Sequence, residues 1–155
     1  MAYVLLLFLV ISASPFILPK LFGYEPYGIL SDSMEPEYPV GSLVYVKEEK
    51  ALNIEKGDVI TFYLGVGNQN VATHRVVMND TKREEFMTKG DHNEDVDATG
   101  VAYSRVIGTV RTCIPWMGSY YLWLVSVSGI AVCTFLFFMV ILLWVMVSKW
   151  KKELD

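Results

Sequence analysis

Apolar residues crowd the two ends of this 155-residue chain, and between the ends they alternate with polar ones. Residues 120–147 carry no charge. About 20 apolar residues cross the hydrocarbon core of a bilayer, so this stretch predicts a transmembrane helix. Trp116, Tyr120, Tyr121 and Trp123 stand at one end of it and Trp144 and Trp150 at the other, where aromatic side chains favour the two membrane–water interfaces. Residues 2–19 are uncharged as well. Their apolar run at 4–11 is short for a span, and Pro15 and Pro19 interrupt the segment beyond it. A cleaved signal peptide opens with a basic region, and no Lys or Arg precedes this run. An uncleaved N-terminal anchor is therefore favoured, although Ser12-Ala13-Ser14 has the small residues of a cleavage site.

The middle of the chain has a different period. Residues 42–47, 58–63 and 72–77 are short runs in which apolar side chains alternate or cluster, as in β-strands. Turn signals separate them at 39–41, 56–58, 65–68, 79–80 and 89–91. No segment here sustains helical periodicity, so the pattern predicts one compact, mainly antiparallel β-domain. The expected division is an N-terminal membrane anchor at 1–19, a β-rich domain at 20–118, a C-terminal transmembrane helix at 119–148 and a basic tail at 149–155.

Composition and charge sharpen this picture. A hydrophobic content of 53% is too high for an ordinary soluble fold of this length. Lys149, Lys151 and Lys152 come directly after the second apolar segment, and the positive-inside rule places them in the cytoplasm. Two spans would return both termini to that side and leave the β-domain outside. That domain, residues 20–118, carries 10 basic and 15 acidic side chains. It has no basic cluster interleaved with aromatics, so no nucleic-acid surface is expected. Cys113 and Cys133 lie 20 residues apart along predicted helix, which argues against both a disulfide and a zinc motif. Asn79-Asp80-Thr81 matches the N-glycosylation tripeptide.

Three boxes carry candidate chemistry. Ser31-Asp32-Ser33-Met34-Glu35-Pro36 offers a serine a short way beyond the N-terminal apolar segment. A serine hydroxyl needs a base and an orienting acid to become a nucleophile. Thr73-His74-Arg75-Val76 offers a histidine, whose pKa of about 6.5 leaves it largely neutral and basic at external pH. Gly90-Asp91-His92-Asn93-Glu94-Asp95-Val96-Asp97 offers three aspartates and the second of the chain's two histidines. Lys89 is a rival base, but in a polar turn it would be solvated and charged. Spacing alone does not rank Asp91, Asp95 and Asp97.

The three boxes in this order resemble the type I signal peptidases, specifically the archaeal and endoplasmic-reticulum (Sec11-like) branch in which histidine replaces the lysine base. The resemblance spans residues 27–108. It implies a mainly β catalytic domain of signal-peptidase-like antiparallel fold, anchored by N-terminal and C-terminal transmembrane helices. It further implies a membrane-bound serine endopeptidase that removes signal peptides after small residues, with no cofactor and no metal. Ser33 would be the nucleophile, His74 the base and Asp97, six residues after the aspartate of the Gly-Asp pair, the orienting acid. Asp91 would be a supporting or alternative acid capping its own turn, and Asp95 a solvated one. The Ser33 N–H and the Ser31 hydroxyl would form the oxyanion hole.

Two departures from the family pattern stand out: Asp32 replaces a glycine and is expected to face outward, and His92 replaces an asparagine. Met34 is expected to pack beneath the site and Pro36 to fix the turn after it. Ile29 and Leu30 are the candidates for lining the substrate pockets, beside which an extended peptide would add as a strand. The implied partners are signal-peptide-bearing preproteins, the lipid bilayer and the protein translocation machinery. The implied location is the cell membrane, multi-pass, or alternatively the endoplasmic-reticulum membrane. The competing functions are a related self-processing serine peptidase and a non-catalytic membrane-anchored β-domain that binds a partner.

Overall fold

In a computed structural model, the structure describes residues 2–65, 67 and 69–154. Val66 and Asn68 of the expected turn at 65–68, and the side chains of Lys151 and Lys152 in the expected basic tail, lie outside the described residues. The chain divides into two compact units. One runs from Pro19 to Ser119, and the other combines residues up to Leu18 with those from Tyr120 onward.

The first unit is a seven-stranded sheet. Its strands are β1 (Tyr24–Gly28), β2 (Leu43–Lys47), β3 (Val59–Tyr63), β4 (Val71–Asp80), β5 (Glu85–Lys89), β6 (Val101–Ala102) and β7 (Val106–Ile114). Their order across the sheet is β1-β2-β7-β3-β4-β5-β6, and every neighbouring pair is antiparallel. Pro26 fits in β1 because that strand is an edge, where a missing N–H costs no ladder bond. The register shifts between Tyr45 and Val46, between Thr61 and Phe62, and between Val76 and Met78. Such irregularities raise local twist and let a sheet curve.

Two apolar clusters hold the sheet. Ile54, Ile60, Phe62, Val76, Phe86 and Val101 form one, and Ile29, Val44 and Val46 form the other with Tyr27, Tyr38 and Val110 against them. In β3 Val59, Ile60, Thr61 and Phe62 are all buried, so this strand is covered on both faces. Thr61 and Thr73 meet hydroxyl to hydroxyl at 2.9 Å on its second face, which removes two polar groups from the hydrogen-bonding deficit of a buried position. Asn79 donates to the carbonyls of Ala51 and Ile54 and accepts from the Tyr103 hydroxyl. Its carboxamide therefore ties the 51–54 turn to β4.

The second unit is helical: the greater parts of α1 (Ala2–Leu21) and α2 (Met117–Val125), and α3 (Val127–Leu154). α1 runs through Pro15 and Pro19 without a break. Phe16, 7% exposed, stacks on Tyr121 with ring centroids 5.3 Å apart and meets Tyr120 at 5.7 Å. Among the described residues, one helical stretch is long and apolar enough to cross a membrane, Val127–Trp150; Val10–Leu21 is a shorter apolar helix.

The uninterrupted helix expected over 120–147 is broken at Ser126. There the serine hydroxyl donates to the Trp123 carbonyl and accepts the Gly129 N–H, capping the start of α3. The bend brings Gly129 so close to Trp123 that a Cβ would lie 2.0 Å from its carbonyl oxygen, room that only glycine provides.

Candidate active site

The nucleophile candidate sits where β1 gives way to a single 3-10 turn, Asp32–Met34. Met34 is 1% exposed and pins the turn from below. The Ser33 carbonyl accepts the His92 N–H at 2.9 Å, which joins the turn to the loop after β5 through the backbone of both. Gly90 permits that junction: a Cβ on it would stand 2.6 Å from the Ser33 carbonyl oxygen and 2.7 Å from the Asn93 carboxamide nitrogen. Gly90→Ala is expected to destabilise the fold by about 1–3 kcal/mol, as overpacking a tight contact does. Chemical denaturation measures this, and an unchanged midpoint would contradict it. On the other side of Ser33, the hydroxyls of Ser31 and Ser33 are 3.1 Å apart. Asp32 between them is exposed.

His74 enters from β4, where it pairs with Ile60 of β3. Its ring presents an edge to Phe62 at 6.1 Å. Its Nδ1 lies 2.6 Å from Asp97 Oδ2, with the two side chains 15% and 22% exposed. Facing a carboxylate oxygen, which accepts when ionised, Nδ1 is the ring nitrogen placed to donate, and Nε2 is the one left for another partner. The same Oδ2 accepts the Thr88 hydroxyl at 2.7 Å, and the Asp97 N–H donates to the Thr88 carbonyl at 2.8 Å. Ser33 and His74 line one cleft of about 210 Å³, together with Ser31, Ile29, Leu30 and Leu64. Ile29 is 6% exposed and Leu30 74%, so the first belongs to the core as well as the wall, and the second stands open to solvent.

The other candidates are placed differently. Asp91 does not cap its own turn. Both of its oxygens accept from Arg75, Oδ1 from Nε at 2.8 Å and Oδ2 from Nη2 at 2.6 Å, while Arg75 Nη1 donates to the Gly57 carbonyl. A bidentate guanidinium outcompetes a local turn N–H because both bonds are charge-assisted. The hydrogen bonds to Asp91 push the Arg75 guanidinium above its ordinary pKa, which keeps it charged. Asp95 and His92 are exposed. Lys89 donates through Nζ to the Glu94 carbonyl at 2.8 Å, closing the loop between the two aspartates. Among the described residues no group of three or more His, Cys, Asp and Glu side chains forms a metal-binding cluster. Cys113 is a free thiol whose pKa is pushed up by burial.

Sequence reasoning missed Arg75 and Thr88. Arg75 lay hidden beside the more conspicuous His74. Thr88 had a weak signal: it shares with Phe86 the buried face of an alternating strand, where a hydroxyl needs a partner.

Comparison with known proteins places this geometry in a family setting. The chain is 44% identical over 93 residues to signal peptidase I W of Bacillus subtilis (strain 168), an alignment that covers 57% of this chain and 47% of that protein. The chain is related to the type I signal peptidases. It is also 28% identical over 107 residues to the signal peptidase complex catalytic subunit SEC11 of Saccharomyces cerevisiae (strain YJM789), covering 62% of this chain and 63% of that subunit. The similarity is thus to the Sec11-like branch of the signal peptidases. The chain spans about half to under two thirds of the length of these relatives. No protein-family model matches it.

Proposed function

We propose that the chain is a membrane-bound signal peptidase that cuts leader peptides from translocated preproteins by a Ser-His-Asp mechanism. The observation that carries this reading is the 2.6 Å bond from His74 to Asp97 on the wall of the cleft that Ser33 also lines. Ser33 Oγ attacks the scissile carbonyl as His74 Nε2 takes its proton. The oxyanion that forms is held by the Ser33 N–H and the Ser31 hydroxyl. Collapse expels the amine, which receives the proton from the imidazolium and leaves the leader esterified to Ser33. A water activated by the same histidine then hydrolyses the ester. Asp97 keeps Nδ1 protonated and stabilises the imidazolium. Asp91 acts at one remove, holding the loop through Arg75.

An extended substrate lies in the cleft past Ile29 and Leu30 and adds as a strand along that wall. By likeness to the family, small residues occupy the first and third positions before the cut. The span at Val127–Trp150 and the N-terminal helix anchor the domain on the extracytoplasmic face of the cell membrane, where preproteins emerge from the translocation machinery. Presenting a preprotein to the purified chain in detergent tests the reading. A new N-terminus directly after a small residue is the expected product. A preprotein that stays intact beside folded protein would leave the partner-binding reading in its place.

A further inference from the structure

Asp97 is clasped twice by one residue, and that residue has no place in a simple three-member account. Thr88 is fully buried on β5, in register with Val76, two residues beyond His74 on β4. Its carbonyl accepts the Asp97 N–H at 2.8 Å, and its hydroxyl donates to Asp97 Oδ2 at 2.7 Å. Oδ2 is also the oxygen that lies 2.6 Å from His74 Nδ1. We propose that Thr88 is a positioning residue of the hydrolytic site, whose hydroxyl fixes the Asp97 carboxylate in the one rotamer that reaches His74. The proposal rests on the Ser-His-Asp reading above.

The physical argument concerns the loop that carries Asp97. Residues 92–96 are exposed, so little packing within the loop holds Asp97 in place. The backbone bond fixes where the Asp97 main chain lies but leaves its χ1 and χ2 free. A carboxylate anchored by a single contact to an imidazole can swing to water, because a solvated anion is stable on its own. A second donor on the same oxygen, supplied from a buried strand position, removes that freedom. The hydroxyl proton is committed to the carboxylate, so the oxygen facing His74 is held by two donors while the negative charge stays in place. Second contacts of this kind set the orientation of a functional group within the narrow tolerance that catalysis needs.

The test uses the full chain in detergent with a preprotein as substrate. Thr88→Val keeps shape and volume while deleting the hydroxyl. It is expected to lower kcat about tenfold to a hundredfold, the size of one lost charge-assisted hydrogen bond, with KM unchanged because Thr88 does not line the cleft. Thr88→Ser, which restores the hydroxyl, should recover most of the rate. In an Asp97→Ala background Thr88→Val should cost nothing further, since Thr88 acts through Asp97. If Thr88→Val does not fold, Thr88→Ser and the pair Thr88→Ala with Asp97→Ala carry the same test. Wild-type kcat in Thr88→Val, failure of Thr88→Ser to rescue, or a cost that adds to Asp97→Ala would each overturn the proposal. A wild-type chain that leaves the preprotein uncut would instead sink the peptidase reading on which it rests.

Discussion

Ser33→Ala and His74→Ala are each expected to lower kcat/KM for a preprotein about a millionfold, and the double variant should be no slower than either single one. The reason is mechanistic coupling. Without its base, a serine hydroxyl is barely nucleophilic at neutral pH, and without the serine the base has no proton to move. Removing either member therefore removes the same step. The fold should survive the serine change. Ser33 holds its turn through its backbone carbonyl on the His92 N–H and through its neighbour Met34 in the core, and neither depends on the hydroxyl. His74→Ala removes an edge contact to Phe62 as well as the bond to Asp97, so its circular dichroism and thermal melting must be recorded beside the rate. A folded Ser33→Ala protein that still releases the leader at a rate near wild type would rule out serine catalysis at this position. Rates that fall multiplicatively in the double variant would argue that the two residues act in separate steps.

The expected insensitivity of the double variant depends on a geometry that the sequence displayed only in part. Alternation marked residues 42–47, 58–63 and 72–77, and these lie within or around β2, β3 and β4. It did not mark β1 or β7. β1 reads Tyr-Glu-Pro-Tyr-Gly, in which proline and glycine cancel the strand signal, and only its edge position makes the proline harmless. β7 contains Gly108 and Arg111 and bends at two register shifts, so its period is blurred. The break at Ser126 was illegible to hydropathy because Ser126 and Gly129 act through a cap and a close backbone contact, neither of which changes how apolar the segment is.

The site was legible in its residue types and not in its wiring. The boxes supplied Ser33, His74 and three candidate aspartates, but a loop can turn any one of the three towards the histidine. What separates them is a partner that linear spacing does not show. Arg75, adjacent to His74 on β4, points its guanidinium to Asp91 because successive residues of a strand face opposite sides. Asp91 is thereby committed to the other face, and Asp97 alone of the three is hydrogen-bonded to His74. Asp32, next to Ser33, is exposed and adds nothing to this network among the described residues.

Alanine at each of the three aspartates should separate these roles. Asp97→Ala is expected to lower kcat about ten-thousandfold, the scale seen when the third member of such a unit is deleted. The imidazole then loses both the partner that keeps Nδ1 protonated and the charge that stabilises the imidazolium. Asp91→Ala should act mainly on stability, since it strands the Arg75 guanidinium at half-buried depth without its bidentate acceptor, and should change the rate of the folded fraction about tenfold or less. Asp95→Ala, on an exposed loop position, should leave rate and stability near wild type. Asp97→Asn divides orientation from charge. Because the His74 and Thr88 donors converge on one oxygen, a carboxamide oxygen in that place can accept both and keep the tautomer while the negative charge is gone. Its rate should fall between those of wild type and Asp97→Ala. Steady-state kinetics on one preprotein, with melting curves for every variant, decides the assignment. An Asp97→Ala enzyme within tenfold of wild type, or an Asp91→Ala enzyme as slow as Asp97→Ala, would transfer the orienting role away from Asp97.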